Sequence, residues 1–189
     1  MAQRKILLDS NAYFRLAQNV HPLLFVVFGD DDCCLYVIDD FQKELERSPR
    51  LISKFSWALE AVYAENRVHP IQVSRQQKEQ IDETCEYIWN SCLTLGISPV
   101  DARAVATAEV LQIMLVSDDM GVQKTAQEFD VTCISTIFLL HIMHERHHIT
   151  WEQVVQTVEN IQYNHDECAA FKEEFERLFQ KDYPQWQED

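Results

Sequence analysis

Apolar residues along the chain fall into two patterns, short runs of strand length and longer stretches at helical spacing. The runs KILL (5–8), CLYVI (34–38), HPIQV (69–73), QIMLV (112–116) and VTCIS (131–135) are rich in Val and Ile and predict five strands. HPIQV is the weakest of them because of its proline. Between them lie helical stretches: AYFRLAQNV, DFQKELERS, FSWALEAVYAEN, a long RQQKEQIDETCEYIWNSCLTLG closed by Gly96, PVDARAVATAEVL, and VQKTAQEF. Strands that alternate with helices imply parallel pairing, because a parallel crossover lays its helix on the sheet face. The expectation is a three-layer α/β/α sandwich around a five-stranded, mainly parallel sheet. From about Ile137 the pattern is helical only, with Trp151, Val154, Val155, Val158 and Ile161, then Phe171, Phe175, Leu178 and Phe179, at helical spacing. No repeat or Gly/Ser linker separates this tail, so it is expected to pack on the same core, with residues 1–140 as the α/β unit and 141–189 as a helical extension.

Composition narrows the classes. A chain of 189 residues, 47% hydrophobic with only 3 Gly and 5 Pro, suits one substantial core rather than two ordinary domains. No apolar run is long enough to span a membrane and the start MAQRKILLDSNAYF lacks a signal-peptide pattern, so the expectation is a soluble, cytoplasmic protein. The 6 cysteines form no CxxC pair and are expected to be reduced, mostly buried thiols. A net charge of -15 argues against a protein that coats nucleic acid with a basic face. About half of that charge lies from Trp151 onward, where ten acids face three bases.

Several acids stand where strands turn into helices. Asp9 follows KILL, and Asp119 closes QIMLVSDD; each suits a helix cap. Ser98, Pro99, Val100, Asp101 reads as a capping box. Glu44, in DDFQKELERS, suits a solvated helix face.

In their order, however, an apolar strand ending in D-S-N, a helix with E-L-E-R after the second strand, a helix opening S-P-V-D-A-R-A-V-A-T-A, and a strand ending in S-D-D resemble the PIN-domain ribonuclease family over about Lys5 to Ser135. The resemblance implies strand order 3-2-1-4-5 and an acidic tetrad of Asp9, Glu44, Asp101 and Asp119 as catalytic and metal-holding residues, with Asn11 and Ser117 orienting it. Asp118 is left as a further acid at the cleft rim or a cap for the helix starting near Gly121, and Glu46 and Asp40 rival Glu44. Crowded carboxylates repel unless a cation offsets them, and hard oxygen ligands select Mg²⁺ or Mn²⁺. Such an ion can activate water against a phosphodiester, so the implied activity is a metal-dependent endoribonuclease that needs no side-chain nucleophile. Arg103, Arg47, Lys124 and Arg15 lie near the acids in sequence and are candidate phosphate contacts. Candidate partners are an RNA substrate, an antitoxin (some members of the family are toxins of toxin–antitoxin pairs) or another protein, and a second copy of the chain in a homodimer; no membrane is expected.

Two other readings compete. HERHH (144–148) satisfies H-E-x-x-H, a zinc-peptidase motif, but Thr150 with Gln153 predicts the next helix cap immediately after it, which puts the histidines at a helix end. A non-catalytic scaffold would use the acids only as caps and the aromatic, acidic tail as a partner surface.

Overall fold

The computed structural model describes residues 3–186 except Asp39, Pro70, Leu93 and Thr94, and leaves the Glu44 side chain undescribed. At its centre is a four-stranded parallel sheet of order β2-β1-β3-β4, from β1 (Arg4–Leu8), β2 (Cys33–Val37), β3 (Met114–Val116) and β4 (Cys133–Ile134). Ile6 lies between Leu35 and Met114, and Leu8 between Val37 and Val116. The near-continuous apolar run of β1 follows from this position: Ile6, Leu7 and Leu8 are at most 1% exposed, as in a parallel strand covered on both faces.

The strand count corrects the sequence expectation of five. Among the described residues HPIQV forms no strand: residues 71–74 belong to no helix or strand, although Ile71 is buried and Val73 packs on the core. Proline offers no N–H to a ladder, so the alternating Ile and Val anchor a covering segment instead of a sheet edge. The remaining neighbours keep the expected order, with the first and fourth predicted runs adjacent.

Eleven helical segments are described: α1 (Ser10–Leu16), α2 (Asp40–Arg47), α3 (Pro49–Lys54), a 3-10 turn (Ser56–Leu59), α4 (Ala61–Asn66), α5 (Arg75–Ser91), α6 (Pro99–Leu111), α7 (Met120–Glu128), α8 (Thr136–Glu145), α9 (Trp151–Tyr163) and α10 (Phe171–Phe179). FSWALEAVYAEN is thus two pieces, broken where Glu60 adopts extended backbone. The long helix ends at Ser91, short of Gly96. β1 connects outward to β2, and the chain then returns past β1 to β3. Right-handed crossovers in opposite directions put α1 and α6 on opposite faces of the sheet.

The C-terminal helices join the same core. α9 packs on α1 and α8, and α10 on α8. Val154, Val158, Ile161, Phe171 and Phe175 are all at most 2% exposed and belong to one hydrophobic cluster with Ile6 and Leu7. α8 itself runs across position 140. No helix among the described residues is long and apolar enough to cross a membrane.

Candidate active site

β1 and β3 are neighbours whose connections leave in opposite directions, which opens a crevice at their carboxyl ends. Asp9, directly after β1, lies there, its backbone N–H donating to Val116 O at 3.1 Å. It caps α1: Ala12 N–H donates to Asp9 Oδ1 at 2.6 Å. The Ser117 hydroxyl also bonds its carboxylate. Asp9 is only 6% exposed, and no ion pair reaches it among the described residues. Burial, with smaller contributions from the Asp118 and Asp101 charges, pushes its carboxyl up to about 7.

Asp101 sits in the first turn of α6 and completes the predicted capping box. Ser98 N–H donates to Asp101 Oδ2 at 2.9 Å, and Asp101 N–H to Ser98 Oγ at 3.1 Å. Asp119 caps α7: its Oδ1 accepts from Gly121 N–H at 2.7 Å and Val122 N–H at 3.0 Å, leaving Oδ2 outside those bonds. Its own N–H donates to Ser117 Oγ at 3.2 Å. Gly121 is required here because a Cβ would meet Leu95 O at 2.7 Å and Asp119 Oδ1 at 3.0 Å. The Glu44 side chain lies outside the described residues, though its backbone belongs to α2. Asn11 is exposed in the first turn of α1.

Asp118 is neither free nor the cap of α7. Arg15 Nη1 donates to its Oδ2 at 2.6 Å, and both side chains are buried, 9% and 3% exposed. Thr136 N–H donates to Asp118 Oδ1 at 2.9 Å and the Thr136 hydroxyl to Oδ2, so Asp118 ties the start of α8 to the end of β3. Arg15 continues to Asp166 (Nε to Oδ2, 3.0 Å), which also pairs with Lys54 at 2.8 Å. Its guanidinium covers the Phe171 ring at 5.3 Å. No local signal could have marked Asp166 or Thr136 as partners; they are brought in from far along the chain.

The other candidate cations divide. Arg103 bridges Asp40 at 3.0 Å and Asp82 at 2.8 Å, tying α2, α5 and α6 together. Lys124 is exposed on α7. Arg47 is exposed and, with Lys43, Ser48, Pro99 and Val100, lines a cleft of about 470 Å³ between α2 and the start of α6, next to Asp101.

For a divalent ion the donor set fits in part. Asp9 and Asp101 offer hard oxygens within each other's field, and the raised Asp9 is a buried charge that a cation would relieve. Asp118 is already neutralised by Arg15. Among the described residues no three His, Cys, Asp or Glu side chains are grouped to hold a metal ion.

The HERHH run does not form a helical zinc face. α8 ends at Glu145, and His147 takes left-handed backbone (φ 55°). His144 packs near Trp151 and Phe179, whereas His148 stacks on Phe28 at 4.5 Å between ring centroids; it is half-buried rather than solvated.

No family model matches the chain, and no curated protein matches it either.

Proposed function

We propose that the chain is a PIN-like, Mg²⁺- or Mn²⁺-dependent endoribonuclease acting at the crevice between β1 and β3. The observation that carries this reading is Asp9, a buried carboxylate in no ion pair among the described residues and within the field of the Asp118 and Asp101 charges, at a topological switch point. A helix cap alone needs neither burial nor repulsive neighbours, and a serine would serve it. The scaffold reading accounts for Asp9, Asp101 and Asp119 as caps, and leaves the burial of Asp9 among other acids unexplained.

In this reading Asp9 and Asp101, with Glu44 and Asp119 Oδ2, would hold the ion. A bound ion supplies positive charge that polarises water for in-line attack and stabilises the leaving oxygen. The chain's own part is orientation. The Ser117 hydroxyl and the Ala12 amide fix Asp9, the Ser98 amide fixes Asp101, and the α7 amides fix Asp119. Arg47, at the open cleft beside Asp101, is the cation best placed to meet a phosphate, since Arg15 and Arg103 are spent on carboxylates.

The test is cleavage of a mixed RNA pool with Mn²⁺, with EDTA, and with Asp9→Asn. Cleavage that EDTA abolishes and Asp9→Asn lowers at least about tenfold is expected. Metal-dependent cleavage unchanged in Asp9→Asn defeats the assignment. No cleavage of RNA or single-stranded DNA, with no Mn²⁺ bound to the parent protein, favours the scaffold.

A further inference from the structure

α10 and the segment before it raise a wall beside the sheet edge. Between that wall and the carboxyl ends of β3 and β4 is a cavity of about 780 Å³, within the range of small-ligand sites. Asp118 is among its lining residues. Cys133, another lining residue, donates its Sγ–H to Ser117 O at 4.0 Å, and the Ser117 hydroxyl bonds Asp9, so the cavity adjoins the acid cluster. Its two sides have different origins: Gln123, Gln127 and Phe138 come from the α/β unit, whereas Phe171, Glu173 and Glu174 come from the C-terminal helix. The acidic extension therefore builds half of a pocket that the sheet and its helices would leave open.

The lining restricts the occupant. Glu173 and Glu174 outweigh Arg177 among the lining residues, and Asp118 is paired with Arg15, so the lining is net acidic and favours a guest that is neutral or cationic and presents hydrogen-bond donors. Phe138, half-buried, offers an aromatic surface for a flat ring. Of the two glutamates Glu174 is the more enclosed, with 20% of its side chain exposed; its pairing with Arg177, itself 63% exposed, is loose at 3.8 Å and readily displaced. Resting on the nuclease reading, we infer that this cavity receives an unpaired nucleobase adjacent to the scissile phosphate and selects guanine through Glu174. The edge of guanine carries two neighbouring donors, N1–H and the 2-amino group, which match the two oxygens of one carboxylate. Adenine and cytosine set an acceptor nitrogen beside their amino group, and uracil has one N–H between two carbonyls, so each brings an acceptor against the carboxylate.

The test uses the full-length, metal-free protein and the four nucleosides, with binding followed by ligand-observed NMR. Guanosine is expected to bind at least about tenfold more tightly than adenosine, cytidine or uridine, since one two-donor contact carries that much discrimination. Glu174→Gln is expected to erase the preference, and Phe138→Ala to weaken all four. Equal binding of the nucleosides, no binding, or a preference that survives Glu174→Gln overturns the inference. So does a lysine-containing apolar peptide that fills the cavity when no nucleoside does. Nucleoside binding requires neither metal nor cleavage, so the two readings fail separately. Guanosine selectivity in a protein that cuts no RNA removes the nuclease and keeps the pocket; cleavage without preference for sites beside guanine does the reverse.

Discussion

Asp9 meets two opposed demands in the metal-free chain: it caps α1, and it is buried among other acids. Its carboxyl, ordinarily ionising near 3.8, is pushed up to about 7. Between those values the folded chain holds a proton that the unfolded chain has released. Stability therefore falls as pH rises from about 4 to about 7, and the loss is complete above that window. Asp9→Asn keeps an acceptor for the Ala12 amide and removes the charge. The variant is expected to match the parent at pH 4 and to melt higher at pH 8, by an amount of the order of 4 kcal/mol at most. Saturating Mg²⁺ at pH 8 should narrow the gap by stabilising only the parent. Thermal melts at the two pH values check this, and an asparagine variant no more stable at pH 8 would mean the charge is compensated within the chain. The position of Asp9 was legible because KILL followed by DSN is a strand turning into a capped helix. Its burial was not, since that depends on Ser117 and Asp118, over a hundred residues further on.

Individual elements separate the doubled aspartate after β3. For activity, the sequence makes Asp118→Ala the mild change and Asp119→Ala the damaging one; for stability the order differs. In the fold Asp118 holds Arg15 and the start of α8, and through Arg15 it reaches Asp166 ahead of α10. Removing it leaves a buried guanidinium with one partner fewer, a loss of about 3–5 kcal/mol. Asp119→Ala removes a helix cap, at about 1 kcal/mol. Chemical denaturation should rank them in that order. For activity the order reverses once folding is secured at low temperature: Asp119→Ala abolishes cleavage and folded Asp118→Ala retains part of it. Equal stabilities would show that Arg15 finds another acceptor. The same contrast explains which elements could be read in advance. Ser98 with Asp101 and Thr150 with Gln153 are reciprocal caps closed within four residues, and both form as the sequence indicates. HPIQV has the alternation of a strand, but its ladder would need a distant partner, and its apolar residues are covered by packing instead.

At the scale of the whole molecule, charge sets how a nucleic acid can be held. The chain carries -15, and four of its cations near the sheet edge and α2 (Arg15, Lys54, Arg103 and, beyond them, Arg146) are engaged with carboxylates. A net charge of this sign does not favour binding through the release of many counterions, and in the nuclease reading contact with RNA would rest on a few groups such as Arg47 beside the α2–α6 cleft. Each neutralised phosphate of a single strand contributes a slope of about −0.7 in log K against log[salt]. One or two such contacts predict a slope between about −0.7 and −1.4, made shallower still because salt also screens the repulsion between RNA and the acidic surface. Arg47→Ala should bring the slope about 0.7 closer to zero, whereas Lys124→Ala, which does not line the cleft, should leave it unchanged. Fluorescence anisotropy of a labelled single-stranded RNA across a salt series measures both, with Asp9→Asn as the background that prevents cleavage. A slope of about −4 or steeper would require about six or more phosphate contacts, and the recognition surface would then have to be sought away from the crevice that Asp9 defines.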